Sequence, residues 1–112
     1  MLKAAPSVNV TVTTAAVIIE GDAVVSVRGG AIDPSSKRDG ANGFYVTPIV
    51  GTLEKHAKRL KKIEGKGGAT FDGTMLLLVD KTIPYRTLTE VLYSAGEAGF
   101  KNYRLVVIAK GE

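Results

Sequence analysis

The sequence predicts an α+β domain: a single mixed β-sheet with two helices packed on one face, in the order β-β-α-β-α-β. Three observations predict it. First, the apolar run Met75-Leu76-Leu77-Leu78-Val79 stops at Asp80-Lys81-Thr82. Leu88, Val91, Leu92 and Ala95 then recur at helical spacing, Gly99 closes that pattern, and a second apolar run fills 103–109. A strand, helix and strand joined this tightly form a right-handed crossover between parallel strands. Second, Val8, Val10 and Val12 alternate with Asn9, Thr11 and Thr13, the period of a half-buried strand rich in β-branched residues. Third, Ile49, Leu53, Ala57 and Leu60 mark another amphipathic helix. Two such helices need one apolar surface to cover, and one sheet face supplies it. The other face must be solvated or covered by a second copy.

The elements follow in order. Residues 1–7 read as a flexible lead and 8–14 as an exposed strand. The extended pattern continues through 16–19, breaks at Glu20-Gly21-Asp22 and resumes over 23–27, which reads as a hairpin. In 28–43, Gly29, Gly30, Pro34, Ser35, Ser36, Gly40, Asn42 and Gly43 crowd together, so this stretch reads as a long polar loop, expected to be mobile. Thr47-Pro48 is a helix start, with Thr47 as N-cap and Pro48 in the first position. Gly65, Gly67 and Gly68 stop that helix, and 70–73 is a loop leading to the C-terminal unit. A chain of 112 residues without an internal repeat or a dividing linker is a single domain, 1–112.

Composition narrows the chemistry. The absence of cysteine excludes a disulfide framework, a thiolate metal site and a cysteine nucleophile. A net charge of +4 permits attraction to nucleic acid, anionic lipid or a cell-wall polymer and compels none of them. No stretch reaches the ~18 apolar residues of a bilayer span, and Met1-Leu2-Lys3 opens no signal peptide. The chain therefore reads as soluble, either as it stands or as the soluble part of something longer.

His56, the only histidine, sits among lysines on a helix flank with no partner pattern around it. Gly65-Lys66-Gly67-Gly68 lacks the strand-to-helix context of a phosphate loop. Asp80, at the end of a strand, reads as a corner carboxylate that accepts free backbone N–H groups ahead of Pro84. Tyr85, Tyr93, Phe100 and Tyr103 read as packing rather than as a stacking platform. Nothing here pairs a nucleophile with a base, so the expectation is a non-enzymatic domain with no catalytic residue, cofactor or metal. The basic helix face of Lys55, Lys58, Arg59 and Lys62 is a candidate contact for an anionic polymer.

The C-terminal unit goes beyond general architecture. Leu78-Val79-Asp80-Lys81-Thr82-Ile83-Pro84-Tyr85-Arg86-Thr87-Leu88, then Val91-Leu92, then Ala98-Gly99-Phe100, resembles the ExbD/TolR family of biopolymer-transport proteins. In that family a strand ends in an acidic-lysine-threonine corner, and a hydrophobic residue and a tyrosine lead into a helix that closes with alanine-glycine-aromatic. The match covers about 8–110 and is strongest over the last third; Asp80, Lys81, Thr82 and Tyr85 carry the corner motif, in a structural role. The resemblance implies the periplasmic domain of a proton-motive-force-driven motor or stator subunit, anchored in the bacterial inner membrane. It implies a homodimer, an ExbB/TolQ-type membrane partner, and an outer-membrane-directed protein or peptidoglycan as the receiver of force for biopolymer transport, envelope maintenance or gliding motility. The family's transmembrane helix, with its proton-carrying aspartate, is missing from these 112 residues, and Asp80 does not stand in for it. The loop 28–43 is longer than the family pattern.

The expected function is therefore force transmission by strand pairing. Val8, Val10 and Val12 on the first strand, and Tyr103, Leu105 and Val107 on the last, are the candidate partner and dimer positions. The alternative is a module that binds peptidoglycan or nucleic acid through the basic helix face. On the first reading no nucleic-acid partner is expected.

Overall fold

The computed structural model describes residues 8–40, 42–65 and 73–108. It holds one mixed six-stranded sheet and two helices. The strands are β1 (Val8–Val12), β2 (Ala16–Ile19), β3 (Asp22–Arg28), β4 (Ala31–Ile32), β5 (Thr74–Asp80) and β6 (Asn102–Ile108); the helices are α1 (Thr47–Gly65) and α2 (Tyr85–Glu97). The sheet order is β4-β3-β2-β1-β5-β6. β1, β5 and β6 run parallel, and the rest of the sheet is antiparallel. The lead 1–7, the glycines of 66–68 and the loop residues 70–72 lie outside the described residues.

One face of the sheet is the core. Val10 registers with Ile19 and with Leu77, and Val12 with Val17 and Val79, so these side chains share a face. They form one buried cluster with Ile49, Val50, Leu53 and Ala57 of α1 and Val91 and Ala95 of α2. The apolar periods of sheet and helices thus meet as expected, with both helices on one face. Phe100, just past the α2 terminus, is buried; its N–H reaches the Ala95 carbonyl at 2.9 Å, after Gly99 turns the chain at φ +98°. No helix among the described residues is long and apolar enough to cross a membrane.

The order carries two more strands than β-β-α-β-α-β. The first arises at Thr13. Its β-branched side chain reads as strand, yet its hydroxyl accepts from the N–H of Ala15 (3.1 Å) and Ala16 (3.0 Å). That local bonding folds the chain back, so β1 and β2 are antiparallel neighbours rather than one strand. The second is β4, inside the stretch expected to be a mobile loop. That stretch is built: β4 pairs with β3, a 3-10 turn follows at Pro34–Ser36, and Lys37 bridges Val46. Ile32 is 1% exposed, so the segment contributes to the core. The α1 boundary also differs by one residue from the expected cap: Val46 supplies the carbonyl that receives the Ile49 and Val50 N–H groups, and the helix begins at Thr47.

Candidate functional site

The two ends of the sheet are finished differently, and that difference defines the candidate surfaces. At one end, residues 30–40 and 42–46 lie as a strap across α2. Thr87, Glu90 and Ser94 recur at i, i+3 and i+7, so they stand on one face of the helix, and all three are buried. The Thr87 hydroxyl donates to the Gly30 carbonyl. Glu90 Oε2 accepts from Lys37 Nζ at 2.7 Å and from Arg86 Nε at 2.8 Å, with the Lys37 and Glu90 side chains almost fully shielded from solvent. Ser94 Oγ accepts from the Val46 N–H (2.9 Å) and donates to the Phe44 carbonyl (3.1 Å).

Arg86 adds a second tie. Its guanidinium lies 4.2 Å from the Phe44 ring centre and donates to the Asn42 carbonyl at 3.0 Å. Gly30 is needed where the strap leaves the sheet: its φ is +81°, and a Cβ there would come 2.7 Å from Pro84 Cδ. Thr87, Glu90 and Ser94 stand at helical spacing in the sequence, a polar stripe that the apolar periodicity passed over. What the sequence lacked was any sign that the glycine-rich segment would return to cover it.

At the other end, β6 is uncovered. Every residue of the strand is exposed, including Tyr103, Leu105, Val106, Val107 (60%) and Ile108. The register explains which way each faces. Tyr103, Leu105 and Val107 stand beside Met75, Leu77 and Val79 on the helix side; Arg104, Val106 and Ile108 stand beside Leu76, Leu78 and Asp80 on the open face. Across that open face Ile18, Thr11, Leu78 and Val106 form a row, in which Val106 is exposed and the other three are half-buried. The free edge of β6 thus presents apolar side chains on both faces, the arrangement that invites another strand.

The first strand is placed otherwise than expected. Val8, Val10 and Val12 are buried, because β1 lies between β2 and β5 with both edges paired. It cannot offer an edge while the sheet is intact. The outward Asn9 and Thr11 made it look like an exposed strand, but they mark only the sheet's open face. Of the six candidate strand positions, Tyr103, Leu105 and Val107 lie at the free edge and the three valines do not.

The corner motif is a compact turn. Asp80 Oδ1 accepts from the Thr82 N–H (2.9 Å) and hydroxyl (2.7 Å), and the Lys81 N–H donates to the Ile108 carbonyl at 2.9 Å. Asp80 therefore serves the turn rather than the helix terminus, since α2 has no side-chain cap. Tyr85 opens the helix at 81% exposure, and Lys81 and Thr82 of the corner are exposed as well.

Asp33 repeats the device before Pro34, accepting from the Ser35 N–H (3.0 Å) and hydroxyl (2.9 Å). Those bonds, the backbone one foremost, hold its carboxyl below the ordinary aspartate value, with Arg28 nearby assisting. Asp33 and Arg28 line an open groove of about 430 Å³ with Ala31, Ile32, Pro34 and Lys37.

Lys55, Lys58, Arg59 and Lys62 are exposed on α1, opposite Leu53 and Ala57, and Lys61 joins them. None makes an ion pair among the described residues; Arg59 Nη2 instead contacts His56 Nδ1 at 2.8 Å. No group of three histidine, cysteine, aspartate or glutamate side chains gathers around a common point among the described residues. Compared with family models, curated proteins and solved structures, the chain matches none of them.

Proposed function

We propose that this domain is a non-enzymatic mechanical coupler of the ExbD/TolR kind, the periplasmic part of a proton-driven inner-membrane motor. The observation that carries the reading is the open edge of β6, the closing strand of the strand-corner-helix-strand unit on which the family resemblance rests. Seven exposed residues with apolar groups on both faces are suited to backbone pairing. The work of such a module is to hold another strand. In the reading proposed here a preceding transmembrane helix meets the ExbB/TolQ-type partner. β6 pairs with a second copy of the domain, and the dimer passes force to an outer-membrane-directed protein or to peptidoglycan.

Antiparallel pairing of β6 about a twofold axis normal to the sheet keeps the helices of both copies on one side. A register centred on Leu105 then sets Leu105 against its own copy and Tyr103 against Val107. Because the chain has no cysteine, Leu105→Cys is a clean reporter: it should form a disulfide-linked dimer under mild oxidation, and Lys58→Cys on α1 should not. Sedimentation showing a strict monomer at high concentration, together with intact energised transport or motility in cells carrying Leu105→Lys, would overturn the reading. The anchored protein reaches a higher local concentration than the free domain, so the cellular arm is needed. The coding sequence ahead of residue 1 gives a direct check: about 20 apolar residues with one acidic side chain are expected there.

A second reading draws on the cations of α1, which make no ion pair among the described residues. Five exposed positive side chains on one helix suit an anionic polymer. Binding to cell-wall sacculi that survives competition by DNA would favour peptidoglycan, and binding that falls steeply with salt and follows DNA would favour nucleic acid. Retention by neither polymer would remove it.

A further inference from the structure

We infer that β1, β5 and β6 form a load-bearing clamp, in which force applied along the strands is resisted as shear; its purpose rests on the coupler reading, its geometry does not. β5 is the common partner of the other two. Val8 pairs with Met75 and Val12 with Val79 on one side; Thr74 pairs with Asn102 and Asp80 with Ile108 on the other. All three strands run in the same direction, so the Val8 end of β1 and the Ile108 end of β6 lie at opposite ends of the ladder.

Load entering at Val8 and leaving at Ile108 is therefore directed along the strands. The hydrogen bonds of a parallel ladder are evenly spaced, so such a load falls on all of them together. A load between Val8 and Asn102, which sit at the same end, acts across the strands. It opens β6 from Asn102 onward, one pair at a time. The same bonds are present in both cases, and only their order of breaking differs.

The register reinforces the clamp. β1 is held on both sides, with Val10 also against Ile19 and Val12 against Val17. A slip of one residue would carry Val8, Val10 and Val12 out of the core and bring Asn9 and Thr11 into it, so β1 has no neighbouring register in which to rest. β6 has no such burial, but its far end is tied to the corner by the Lys81 N–H to the Ile108 carbonyl. The yielding element under shear is accordingly β6 against β5.

Single-molecule force spectroscopy on the full 112-residue chain tests this. One handle is attached at the N-terminus and the other either at the C-terminus or at Lys101→Cys, an exposed position just before β6. At one loading rate the end-to-end geometry should rupture at a force several-fold above the Lys101 geometry. Equal forces, or a stronger Lys101 geometry, would overturn the clamp while leaving strand pairing by β6 untouched. The converse also separates: a chain with no motor partner would still show the force difference.

Discussion

The two edges of one sheet receive opposite treatment. β4 is two residues long, its Ile32 is sunk in the core, and the chain on either side of it is fastened to α2, by Thr87 before it and by Glu90 and Ser94 after it. β6 is seven residues long and carries five exposed apolar or aromatic side chains. An edge strand left long and apolar is a hazard unless something covers it, and short or covered edges are the usual remedy. The protein applies that remedy at β4 and withholds it at β6. The difference leaves β6, not the first strand, as the open edge on which the proposed pairing rests.

Substitutions at the two edges should therefore separate sharply. Ile32→Ala leaves a cavity beside the core and should cost about 3 kcal/mol, whereas Val107→Ala on β6 should stay within ~0.5 kcal/mol. Urea denaturation of the pair at equal protein concentration measures both. Equal losses would mean that β6 is covered in the free domain.

The strap should be the next most sensitive region. Lys37→Ala leaves the buried Glu90 carboxylate with only the half-exposed Arg86 as a charged partner, and should cost about 2 kcal/mol. Native-state hydrogen exchange should show the loss concentrated between residues 30 and 46. A uniform change across the molecule would show that the strap is not an independent unit. Ser94→Ala removes the acceptor for the buried Val46 N–H and should cost about 1–2 kcal/mol in the same assay.

Leu105→Lys sharpens the comparison from the other side. Monomer stability should change by less than ~0.5 kcal/mol because the side chain is already exposed, while self-association measured by sedimentation equilibrium should disappear. The smallest effect belongs to Asp33. Its folded-state pKa lies below the unfolded one, so its contribution is present above the unfolded value and fades as pH falls through the folded value. The stability difference between wild type and Asp33→Ala should thus be widest at neutral pH and close in strong acid.

Much of the fold was legible because its signals are local. Alternating valines in 8–12 and leucines at helical spacing in α2 report which residues face an apolar layer. The corner at Asp80 and the stop at Gly99 follow from turn chemistry within a few residues. The strap was not legible, since Lys37 and Glu90 are 53 positions apart and a glycine-rich polar stretch reads alike whether it is docked or free. At Thr13 the misreading had a different origin: a β-branched residue that suits a strand can also bond its own backbone and end one.

By itself, the sequence determined the composition of the layers: which side chains of β1, β5 and the two helices turn inward, and that one mixed sheet carries both helices. Position within the sheet emerged only from the folded arrangement. Alternation of apolar and polar residues is identical in a strand paired on both sides and in one paired on a single side. It records a face, while neighbours are chosen by hydrogen bonds made in the plane of the sheet, at right angles to every side chain. That is why Val8, Val10 and Val12 lie locked between two strands and Tyr103, Leu105 and Val107 stand open at the rim.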